Sequence, residues 1–154
     1  KIAARETTDE DTTIDWKIDH DILYSLLCIS FFADQEIDES EKDAIFDSYK
    51  IFSDGVDNES FNRDFGLTTE RFIALKTEEA RQKQFDDSLE IIYADDRFQN
   101  EELLKLIDCY VGIANADDFI HENEVTLIQH AIKAWSLDVS IEKPKSGEKL
   151  KIQK

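Results

Sequence analysis

The run Ala116-Asp117-Asp118-Phe119-Ile120-His121-Glu122-Asn123-Glu124 decides how the rest of the chain is read. It lies between two apolar, helix-periodic stretches, and the chain uses the same pattern earlier, at Ala33-Asp34-Gln35-Glu36-Ile37-Asp38-Glu39-Ser40-Glu41. Both copies read Ala-Asp, two variable residues, Ile, three variable residues, Glu. Each follows one helix candidate and opens the next. A near-copy stands at Ala94-Asp95-Asp96-Arg97-Phe98-Gln99-Asn100-Glu101-Glu102, with Phe in the Ile place; it is either a degenerate hinge or a chance match.

Working outward, the first helix is expected to start near Asp15 or Asp19 and to run to about Ala33. Ile18, Ile22, Leu23, Leu26, Leu27 and Ile29 recur at three- and four-residue steps, the signature of one buried face. A second helix is expected from Glu39 to Phe52, with Ala44, Ile45, Tyr49 and Phe52 as its stripe. Asp38 and Glu41 take the Ncap and N3 places of a capping box. From Ser53 to Gly66 the turn dipeptides Asp54-Gly55 and Asp57-Asn58 predict a loop with one short helical turn, followed by a short helix from Thr68 to Leu75. Thr77 caps a longer helix carrying Phe85, Leu89 and Ile92. Gln99 or Asn100 begins another, with Leu103, Leu106, Ile107 and Tyr110, and a last helix runs from the second hinge to about Leu137. The expected architecture is all-α: a compact bundle of about six or seven helices with an internal pseudo-twofold duplication of a helix–acidic turn–helix unit. Such an axis brings both hinges to one end. Residues 1–17 read as a flexible acidic arm, 18–137 as the helical domain, and 138–154 as a solvated Lys-rich tail.

Composition bounds the function. The formal net charge is -18 over 154 residues, which argues against nucleic acid and anionic lipid as partners, because phosphate contacts need Lys and Arg. A cation, a basic partner or simple solubility fits that charge. Four Gly and one Pro disfavour a turn-rich β fold. No apolar run approaches the roughly 20 residues of a bilayer span, so no membrane insertion is expected, and nothing at Lys1-Ile2-Ala3-Ala4-Arg5 resembles a signal peptide. A cytoplasmic location is the default expectation. The chain contains no Met, so a processed or trimmed start is expected. Cys28 and Cys109 each sit in an apolar helical run and are expected to be free buried thiols.

Each hinge offers an Asp in the turn and a Glu one turn inside the next helix: Asp34 with Glu41, and Asp117 with Glu124. Clustered carboxylates and carbonyls are what hard cations such as calcium, magnesium or manganese take as ligands. The spacing is not that of an EF-hand, because Glu39 and Glu122 stand where its Gly belongs and Ile45 and Ile128 where its final Glu belongs. Helix capping explains the same positions: the Asp can accept backbone N–H bonds two residues on, and a Glu at N3 is favoured by the helix dipole. Both readings stand at this point. His20, His121 and His130 do not have zinc-site spacing, and His20 is expected to lie at the surface. No nucleophile arrangement or phosphate loop marks an enzyme.

The duplicated Ala-Asp-x-x-Ile-x-x-x-Glu hinge resembles the tellurite-resistance TerB family and the related helical domain of some membrane-anchored J-domain co-chaperones. The resemblance is clearest from Ile113 to Glu124 and in Ala131-Ile132-Lys133-Ala134-Trp135-Ser136-Leu137. It implies an all-helical, internally pseudo-symmetric fold whose clustered acids hold a divalent metal, here Asp34, Glu41, Asp117 and Glu124. It also implies a non-enzymatic, bacterial role in tellurite or chemical stress resistance, exerted through protein partners near the membrane. Gln35 and Asp118 stand where that family usually has Gly, a residue favoured at positive φ. Asp tolerates such a conformation better than Gln, so the first hinge is expected to turn differently and to offer the weaker site. The competing reading is a metal-independent interaction module whose acidic turns only cap helices; a mimic of nucleic acid is a third.

Overall fold

A computed structural model describes residues 16–34, 39–53, 55–116, 120–145 and 147–153, with the side chains of 31–34 excepted. Six α-helices are found among them: α1 Ile18–Asp34, α2 Glu39–Phe52, α3 Asn58–Ala74, α4 Glu78–Ala94, α5 Asn100–Asn115 and α6 Glu122–Ala134. The fold is all-α, and the only β pairing among the described residues is an isolated bridge between Ser140 and Gln153.

The first helix holds the centre. The sequence suggests a single apolar face, yet every residue from His20 to Ser30 is buried. All five other helices pack against α1, and α2 also packs on α5, α5 on α6, and α4 on α6. A helix covered on all sides must satisfy its polar groups internally. Asp21 is fully buried and its Oδ1 accepts hydrogen bonds from Ser88 Oγ at 2.8 Å and Trp16 Nε1 at 3.0 Å. Trp16 thus belongs to the packed domain rather than to the acidic arm, whose residues 1–15 lie outside the described ones. The Arg71 guanidinium stacks 4.1 Å from the Trp16 ring centre.

The third helix departs from expectation. Asp57-Asn58 is not part of a loop but a helix start: Ser60 N donates to Asp57 Oδ1 at 2.9 Å and Asp57 N donates to Ser60 Oγ at 3.1 Å, a reciprocal cap. The helix then continues through Gly66. Thr68 and Thr69 do not start a new one. Their hydroxyls bond back to the carbonyls of Asp64 and Phe65 at 3.0 and 2.7 Å, which suits a helix interior. The reward for continuity is aromatic: Phe61 packs against Phe46, Tyr49 and Phe65. Thr77 caps α4 as its sequence predicts, accepting from Ala80 N at 3.0 Å.

This extra helix also overturns the surface reading of His20, which is 6% exposed. Lys17 N donates to His20 Nδ1 at 2.9 Å, so the neutral ring carries its proton on Nε2, 3.2 Å from Asp64 Oδ1 on α3. Tyr49 donates its hydroxyl proton to the other oxygen of Asp64 at 3.1 Å.

The last helix ends in a Schellman motif, with Ser136 N bonded to Lys133 O and Leu137 N to Ile132 O. Ser136 takes φ 52°, the left-handed conformation for which Gly is usual. Beyond it, the segment expected to be a solvated tail is docked. Ile141 and Leu150 are each 2% exposed, and Ser140 and Gln153 exchange backbone hydrogen bonds at 2.8 and 2.7 Å. Val139 and Ile152, two residues from Ile141 and Leu150, pack against the core beside them. Leu150→Ala is therefore expected to cost about 2–3 kcal/mol, lowering Tm by roughly 5–10 °C in thermal unfolding. A solvated tail would leave Tm unchanged.

Candidate functional site

The positions of the two hinges follow from helix ends. Arg97 Nη2 lies 3.8 Å from Asp19 Oδ1, Ser53 Oγ donates to Asp19 Oδ2 at 3.3 Å, and the Phe52 and Phe98 rings stack at 5.5 Å. The start of α1, the end of α2 and the start of α5 therefore share one end of the bundle. Halfway along, the Ser25 hydroxyl faces that of Tyr110, so α1 and α5 run parallel. They contain 17 and 16 residues, about 25 Å each, which carries both of their C-termini to the opposite end. The helix ends from which the two acidic hinges leave thus lie at the same end of the bundle, as a pseudo-twofold axis along the helices would place them. The packing of α1 on α6 and of α5 on α2 is the reciprocal pairing of such an axis.

Two of the four predicted ligands are described in full. Glu41 is 4% exposed and Glu124 is 1% exposed. Glu124 Oε1 accepts from His121 N at 2.8 Å, so this carboxylate is the N3 member of a cap. The backbone of Asp34 closes α1; its side chain and the whole of Asp117 lie outside the described residues. Among the described residues, no group of three or more His, Cys, Asp or Glu side chains is arranged to hold a metal ion.

The near-copy at Ala94–Glu102 proves to be a third hinge, and it shows what capping alone looks like. Asp95 Oδ1 accepts from Arg97 N at 2.8 Å, two residues on, an Asx turn. Gln99 N donates to Glu102 Oε1 at 3.0 Å, matching His121 with Glu124. Phe98, in the Ile place, is 5% exposed and plugs the bend. The difference lies in the acid itself: Glu102 is half-buried, whereas Glu41 and Glu124 are withdrawn from water. The capping hydrogen bond is thus common to Glu102 and Glu124, and burial distinguishes the two acids.

The remaining reactive groups are tied into the fold. Both thiols are free and buried, and burial pushes Cys28 and Cys109 above the ordinary thiol range, holding them protonated. His130 Nε2 lies 2.7 Å from Asp86 Oδ1 on α4, far along α6 from His121. Sequence reasoning missed Asp21 and Asn115. The first is a lone acid in an apolar helix, a signal of an internal network. The second stands beside the motif and makes its contacts with residues 35 positions away.

Comparison with known proteins gives one family. The family described as tellurite resistance protein TerB matches residues 20–140. No curated protein and no solved structure matches. The chain belongs to the TerB family.

The two kinds of hinge acid are separable in solution. Glu102→Ala is expected to cost about 1 kcal/mol, a lost cap. Glu124→Ala is expected to cost about 2–3 kcal/mol, because it removes the bond to His121 N together with the packing of a buried side chain. Urea unfolding in EDTA measures both, and equal losses would make Glu124 an ordinary cap.

Proposed function

We propose that this TerB-family chain is a non-enzymatic, divalent-cation-responsive scaffold in a tellurite or chemical stress response, acting through a protein partner. The observation that carries the reading is the paired burial of Glu41 and Glu124 at one end of the bundle, against the half-buried Glu102 of the purely capping hinge. Asp34 and Glu41 would hold a cation at the first hinge, and Asp117 and Glu124 at the second. An all-oxygen donor set fits calcium, magnesium or manganese. Such an ion would neutralise the carboxylates that hold it.

A scaffold role is supported by the commitments of the other polar groups. His20 and His130 each serve a carboxylate on a neighbouring helix, and both thiols are held protonated. The net charge of -18 favours a basic protein surface as partner over nucleic acid. No helix among the described residues is long and apolar enough to cross a membrane. A membrane-associated partner and a cytoplasmic, bacterial setting belong to this proposal.

The third hinge favours a second reading, a metal-independent interaction module, because Asp95 and Glu102 show the motif working as caps alone. Thermal unfolding separates the two. Wild type is compared in EDTA and in calcium, magnesium, manganese or zinc with the double variant Asp34→Asn, Asp117→Asn. A ligand that binds only the folded state at about 100 times its Kd adds about 2.7 kcal/mol, or roughly 5–10 °C in Tm. The cation reading expects that rise in wild type and its loss in the double variant. A wild type indifferent to every cation, with a variant merely less stable, establishes the interaction module.

A further inference from the structure

The docked C-terminal segment is fastened to both helices that flank the second hinge. On α5, Asn115 Nδ2 donates to Leu150 O at 3.0 Å and Asn115 Oδ1 accepts from Leu150 N at 2.8 Å. The amide thus reads the Leu150 backbone as a neighbouring strand would. Lys149 Nζ donates to the Asn115 carbonyl at 3.1 Å, placing a cation at the negative end of α5. On α6, Gln129 Nε2 donates to Ile141 O at 2.9 Å. The Ser140–Gln153 bridge joins the outgoing and returning arms, and Ile141 and Leu150 anchor them in the core.

We infer that residues 138–153 form a clasp that fixes the angle between α5 and α6 and thereby positions Glu124 in the second hinge, with Asn115 as the positioning residue. Asn115 is the last residue of α5, and His121 and Glu124 open α6. A strap tied to Asn115 on one side and Gln129 on the other spans the bend. Among the described residues, α1 and α2 share no comparable strap; the bond from Ser53 to Asp19 between them lies at the far end from their hinge. The two hinges, alike in sequence, are thus held differently. The clasp leaves the second one preorganised, which lowers the ordering cost of any ligand taken there. That last consequence rests on the cation reading; the positioning of Glu124 does not.

Amide hydrogen exchange tests the clasp without any cation. Asn115→Ala removes two hydrogen bonds from the strap, so exchange at Leu150 is expected to quicken roughly tenfold or more. The His121 amide, bonded to Glu124, is expected to quicken with it. The Gln99 amide, bonded to Glu102 in the third hinge, is the internal control and keeps its rate. Gln129→Ala attacks the strap from α6 and should give the same pattern, which guards against a helix-end defect peculiar to position 115. Faster Leu150 with unchanged His121 in both variants overturns the inference: the segment would then cover the core without holding the hinge. The cation arm uses calcium, magnesium and manganese separately with wild type and Asn115→Ala. A smaller Tm rise in the variant extends the clasp to ligand binding. Coupled exchange at His121 with no Tm rise in wild type keeps the clasp and defeats the cation reading.

Discussion

The arrangement depends on one constraint: α1 has no face left for water. Eleven consecutive residues, His20 to Ser30, are buried, so each polar group among them must find its partner within the protein. Asp21 meets Ser88 and Trp16, His20 meets Asp64, and Tyr24 donates to Arg81 O at 3.3 Å. These bonds reach α3, α4 and the residues before α1. The apolar term pulls every other helix onto α1 without direction; the polar partners specify where along it each one sits.

The duplication is real in topology and broken in environment. The first helices of the two copies, α1 and α5, run parallel, and each packs on the second helix of the other copy. Yet α3 and α4 both pack on α1, while α5 keeps Lys105, Asp108 and Gly112 at the surface. The C-terminal segment goes to the second pair alone. A repeated sequence thus ends as two unequally held hinges, only the second of them under a strap.

What could be read from the sequence follows from what is local. The hinge pattern, the α2 boundaries and the Thr77 cap depend on residues within a few positions of each other, and they were legible. The α3 helix was not, because Asp57-Asn58, Gly66 and Thr68-Thr69 carry the chemistry of turns and caps, and the aromatic packing that overrides it lies across the bundle. Missing α3 also hid the partner of His20. The docking of the C-terminal segment rests on two short apolar pairs, Val139 with Ile141 and Leu150 with Ile152, and on Asn115 and Gln129, whose partners are distant in sequence. At the site, the cap geometry was readable; the burial that distinguishes Glu124 from Glu102 was not, since solvent exposure is a property of the whole bundle.

The central position of α1 sets the timing of assembly on the ribosome. The helix that everything else covers is made before its covers: α4, α5 and α6 complete its shell only after residue 134 has been added. Until then the nascent chain displays an apolar rod with a carboxylate in it and only part of its cover. Contacts between α1 and α6 span most of the chain, which slows their formation relative to neighbouring pairs. Exposed apolar surface in such an intermediate invites aggregation. The dense negative charge of the finished protein is already present in much of that unfinished chain, and mutual repulsion between nascent copies protects them during the wait.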